Sequence, residues 1–155
     1  MTYSFSKTAN LRFDDALALV KEALERHDFD VTAEIDVKDI FKKRLNIDFR
    51  SYRILAVCNP QLSYRALQAQ DKVPMFTCNI VLQQQEGGGV EISAVGPDAS
   101  MQPITHVVID QVARQIQSDL QKAIDEVGDA TDFAQITLAP PDPRSVSSLI
   151  LTHPG

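Results

Sequence analysis

Tyr52-Arg53-Ile54-Leu55-Ala56-Val57-Cys58-Asn59-Pro60 decides how the rest of this chain is read. Every position from Ile54 to Cys58 is apolar, and a strand without polar alternation is one expected to have both faces covered. The reading is a central strand over residues 51–58. It stops at a pair of residues that opens a helix. The Asn59 side chain can accept a hydrogen bond from a first-turn N–H, and Pro60 at the first helical position removes only an N–H that would have no partner there. Leu62, Ala66 and Leu67 follow on the helix.

Towards the N-terminus, residues 29–37 alternate, with Phe29, Val31, Ala33 and Ile35 on one face and Asp30, Thr32, Glu34 and Asp36 on the other. That is a second strand with an acidic, wet face. Asp36 ends it and can cap a short helix, with Asp39 in the first turn and Ile40, Phe41 and Leu45 as the apolar side. Upstream, Asn10 is positioned to cap a helix whose stripe is Phe13, Ala16, Leu17, Val20 and Leu24, with Asp14 and Asp15 where the helix dipole favours anions. Thr2 to Thr8 precedes it as a strand, with Tyr3 and Phe5 facing away from Ser4 and Ser6.

Towards the C-terminus, residues 75–84 and 90–95 read as two strands joined through Gly87-Gly88-Gly89, a hairpin. Gly96-Pro97-Asp98 ends the sheet. A long helix over 104–127 then carries Ile109, Val112, Ala113, Ile116, Leu120, Ala123 and Ile124 on one stripe and ends at Gly128. Residues 1–128 thus form a single α+β domain of about five strands packed against helices. Residues 129–155, with Ala139-Pro140-Pro141-Asp142-Pro143, read as an extended C-terminal tail in which Leu149-Ile150-Leu151 can dock on the domain or on a neighbour.

A chain of 155 residues with 44% hydrophobic and 23% charged residues fits one globular core. The net charge of −6 argues against nucleic acid or an anionic membrane as partner, because both need a basic footprint. The N-terminus lacks a basic segment followed by an apolar run, and no stretch approaches the roughly 20 apolar residues that cross a bilayer. The expectation is a cytoplasmic protein without a membrane partner. In that reducing compartment two cysteines read as thiols, and with three scattered histidines they make no zinc signature. Neither a metal nor a cofactor is expected.

The features that could carry chemistry are few. Gly87-Gly88-Gly89 lacks the following helix and the Lys-Ser/Thr of a phosphate loop, so it is a turn. His27, His106 and His153 are not joined by any spacing. Glu34 and Asp36 share a strand face, as an acid–base pair would, but a solvated face with a helix cap is the preferred reading. Cys58 stands immediately before a helix N-terminus, where the dipole can stabilise a thiolate. Cys78, among Phe76, Ile80 and Leu82, reads as core. Each cysteine is followed by an asparagine, Asn59 and Asn79, and a buried asparagine must find hydrogen-bond partners.

The segments Glu34-Ile35-Asp36-Val37, Tyr52 to Pro60 and Cys78-Asn79-Ile80-Val81-Leu82 resemble the successive signatures of the domain-of-unknown-function family number 302, over roughly Tyr3 to Val127. The resemblance implies a TATA-binding-protein-like two-layer sandwich, an antiparallel sheet with helices against it, assembled as a homodimer. The matching positions are Asp36, Cys58, Asn59, Pro60, Cys78 and Asn79, and Thr77 stands where the family pattern has proline. Two functions follow as expectations. One is a homodimeric module that binds a small apolar ligand or a protein without catalysis. The other is a thiol-based redox enzyme or sensor in which Cys58 reacts and Cys78 resolves.

Overall fold

The structure, a computed structural model of the chain, describes residues 2–69, 77–97 and 107–128. Within them the elements run β1 (Thr2–Ala9), α1 (Phe13–Arg26), β2 (Asp30–Asp36), α2 (Val37–Leu45), β3 (Tyr52–Cys58), α3 (Pro60–Ala69), β4 (Cys78–Gln84), β5 (Val90–Pro97) and α4 (Val107–Asp125). The expected strand and helix starts at 75 and 104, and the tail from 129, lie outside the described residues.

The strands form one sheet in the order β1-β5-β4-β3-β2, every neighbouring pair antiparallel. The β4–β5 hairpin closes as expected at Gly87-Gly88-Gly89. The Gln85 N–H donates to the Gly89 carbonyl at 3.0 Å, and Gln84 Nε2 donates to the same oxygen at 2.7 Å. Gly89 has φ +86°, and a Cβ on it would lie 3.2 Å from the Ala9 carbonyl oxygen. Both facts restrict the position to glycine.

Alternation along the strands turns Leu55, Val57, Cys78, Ile80, Leu82, Val90, Ile92 and Ala94 to one face, where all are buried. Against them lie Ala16, Val20, Ala23 and Leu24 of α1 and Ile109, Val112, Ile116, Leu120 and Ile124 of α4, with Ala66 of α3 joining the same core. Full burial of each Leu or Ile here is worth about 1.5–3 kcal/mol. The helix-face layer is therefore filled by protein side chains. Lys7 of β1 fastens its edge by donating from Nζ to the carbonyls of Asp125 and Val127, at the C-terminal end of α4 where a cation suits the dipole.

Three expectations need correction. Strand β3 is interior but not central, since β4 holds the middle of the sheet, and among the described residues only its Leu55 and Val57 side joins the core. Ile54 and Ala56 join Val81, Ser93 and Val95 on the opposite, open face, where they stay partly exposed. Strand β2 does not keep its four apolar residues together. Val31 pairs with Val57 and Ala33 with Ala56, so Thr32 is an extra residue in a β-bulge. Phe29 is buried in the core upstream of the bulge, whereas Ala33 and Ile35 turn to the open face with Ala56 and Ile54. Helix α1 starts from Arg12 instead of Asn10. Arg12 bonds Asp15 from Nε at 3.0 Å, satisfying a buried carboxylate at the helix start.

Candidate functional site

The two Cys-Asn pairs do opposite things. Asn59 is buried and its Oδ1 accepts from the Leu62 N–H at 3.1 Å, the cap of α3 that the Asn-Pro pair implied. Asn79 is exposed on the open face, across from Ala56 and Val95. The expectation of two buried asparagines thus holds for Asn59 alone. Because Val57 is the residue opposite Cys78, Cys58 leaves the sheet on the other face from Cys78. Both thiols are buried and neither is in a disulfide. Asp30 of β2 faces Cys58 across the strand pair. Burial pushes the Cys58 thiol up from its ordinary pKa, and the Asp30 carboxylate pushes it further the same way.

Asp36 lies at the far end of the sheet from Cys58. It sits opposite Arg53, five residues back along β3, which is about 16 Å at strand rise. Its Oδ1 accepts from the Asp39 N–H at 3.0 Å, capping α2 as expected. Its other oxygen meets Arg53 Nη2 at 3.3 Å, and Arg53 Nη1 also grips Glu34. Lys21 of α1 reaches Glu34 at 2.7 Å. The hydrogen bond from Lys21 is the main reason that the Glu34 carboxyl titrates below its usual range, with Arg53 adding to it. The carboxylate pair is thus clamped by two cations, an arrangement that fixes α2 on the sheet edge and offers no base to a substrate.

Of the sequence candidates, the fold gathers Cys58, Asn59 and Asn79 near one end of β3 and β4, and leaves Cys78 on the reverse face and Asp36 at the opposite end. Among the described residues no group of three or more His, Cys, Asp or Glu could hold a metal ion. No helix there is long and apolar enough to cross a membrane.

What sequence reading missed is the surface around α2. This helix buries no residue. Ile40, Leu45 and Ile47 are 44%, 60% and 48% exposed, and Ile35 beside them on β2 is 42% exposed. Phe41 and Phe49 stack edge to face at 5.1 Å, Phe49 leans on Tyr52 at 6.1 Å, and Arg50 lies over the Phe49 ring at 4.3 Å. These contacts brace the segment against the start of β3 while its aliphatic residues stay in water. The signal in the sequence was the amphipathic spacing of Ile40, Phe41 and Leu45, the apolar side expected of the short helix.

A family model described as a domain of unknown function, DUF302, matches residues 5–127. Among solved structures, the crystal structure of an uncharacterized conserved protein DUF302 from Bacillus stearothermophilus superposes with a TM-score of 0.64 at 21% identity. That likeness, which is one of fold, covers 81% of this chain and 98% of the other. No curated protein matches the chain.

Proposed function

This chain belongs to the DUF302 family of domains of unknown function, and on that footing we propose that it is a non-catalytic binding module that works as a homodimer. The observation that carries the reading is the apolar surface left uncovered, among the described residues, on α2, at Ile47 and at Ile35 of the open sheet face. Helices of fewer than about 12 residues are marginal in water on their own, and exposed clusters of aliphatic side chains mark association surfaces. Charge favours a second copy as the first occupant. Residues 37–50 carry Lys38, Lys42, Lys43, Arg44 and Arg50 against Asp39 and Asp48, a net +3, which leaves −9 on the rest of a chain whose total is −6. The basic segment of one copy is thus opposite in charge to the rest of another, and two-fold symmetry makes that contact twice. Between the copies, the Ile54, Ala56, Val81 and Val95 side of the sheet is the place for a small apolar ligand or a protein segment.

The thiol reading draws no support from the geometry, because strand register sends Cys58 and Cys78 to opposite faces and the Cys58 environment favours the protonated thiol. Native mass spectrometry of the full chain tests the proposal. The wild type is expected as a dimer at micromolar concentration, and Ile40→Asp with Leu45→Asp as a monomer with unchanged far-UV circular dichroism. A wild type that stays monomeric at high concentration rejects it. Apolar ligands that bind the dimer raise its Tm; a flat response across a broad set removes the small-ligand half of the reading.

A further inference from the structure

We propose that the groove between α3 and α4 binds a phosphate group carried by a small molecule, with Arg65 and Arg114 as its cationic walls. On α4, Gln111, Arg114, Gln115 and Ser118 recur at the spacing that puts them on one exposed stripe. Arg65 reaches across from α3, and with that stripe it lines a groove of about 390 Å³, within the range of about 300–1,000 Å³ typical of small-ligand sites.

The polar atoms in this groove sort towards an anion. Arg65 Nη2 donates to Gln111 Oε1 at 2.9 Å, a neutral acceptor, and among the described residues no carboxylate pairs with Arg65. Asp110 compensates Arg114 through Nε at 2.9 Å. With its carbonyl oxygen engaged by Arg65, Gln111 offers its amide N–H groups, and Ser118 offers a hydroxyl. Gln115 donates to Asp119 at 2.8 Å, which leaves its carbonyl oxygen for a hydroxyl on the same ligand. A guanidinium fork matches the oxygen spacing of phosphate, with charge-assisted bonds stronger than neutral ones. The groove lies on the helix layer and the homodimer surface on α2 and the open sheet face, so the two proposals stand or fall separately.

Inorganic phosphate titrated into the full chain at constant ionic strength, followed by two-dimensional amide NMR, tests the site. The expected result is saturable shifts confined to α3 and α4, and Arg65→Gln or Arg114→Gln each weakening binding by about tenfold or more, the loss of one charge-assisted hydrogen bond. Both arginines are exposed, so neither variant threatens the fold, and Arg26→Gln on α1, an exposed cation outside both proposed surfaces, is expected to bind as the wild type does. Phosphate acting no better than chloride, an equal response to acetate, shifts elsewhere, or an equal loss in Arg26→Gln would each overturn the phosphate site.

Discussion

At Cys58, burial and a facing carboxylate both act against ionisation at a position that opens onto a helix. A cysteine before a helix N-terminus has a reason to ionise, yet burial and the Asp30 carboxylate both hold the thiol in its protonated form. Alkylation of native protein near neutral pH is therefore expected to be slow at Cys58, and Asp30→Asn to speed it by removing the carboxylate. Rapid labelling of the wild type, read by intact mass, would contradict this. Glu34 gives a second prediction. Its pKa is lowered in the fold, chiefly by Lys21, so its stabilising contribution is present above its unfolded pKa and is lost as pH falls through the folded value. Glu34→Gln is expected to cost under about 1 kcal/mol at neutral pH, as a solvent-screened, partly exposed pair does, and to flatten the acid side of the stability curve. A curve parallel to the wild type at low pH would refute the linkage. The caps made by Asn59 and Asp36 were legible in the sequence, because a cap lies within three residues of the N–H that donates to it. The Arg53 clamp on Glu34 and Asp36 was not, since it depends on the pairing register of two strands.

Most elements could be read from periodicity, and the exceptions have physical causes. A run of consecutive apolar residues such as Ile54 to Cys58 shows that a strand can be covered twice, without showing that it is. Strand β2 was misread because one extra residue, Thr32, reverses the faces downstream of it. Thr32 also donates from its hydroxyl to the Ala56 carbonyl at 3.0 Å. Deleting Thr32 joins Val31 to Ala33, both already in register with Val57 and Ala56, so the sheet is expected to survive. Loss of that hydroxyl bond costs about 1 kcal/mol, a drop of a few degrees in Tm. Aggregation or loss of the far-UV signal on deletion would show that the bulge, with its extra twist, is required for the fold.

At the scale of the molecule, the sequence announced one α+β domain and the order of its elements. It could not announce which side of the sheet the helices would take, because that depends on α1, α3 and α4 sharing one core while α2 stays outside it. The same fact produces the surface on which the proposed function rests. Its central claim is that α2 and β2 are covered by a second copy in solution. Hydrogen exchange of the amides of residues 30–45, measured over a range of protein concentrations, tests that most directly. Protection that grows with concentration in this segment, and in no part of the α1–α4 core, is the predicted result. Fast exchange independent of concentration, as for a nine-residue helix in water, would contradict it.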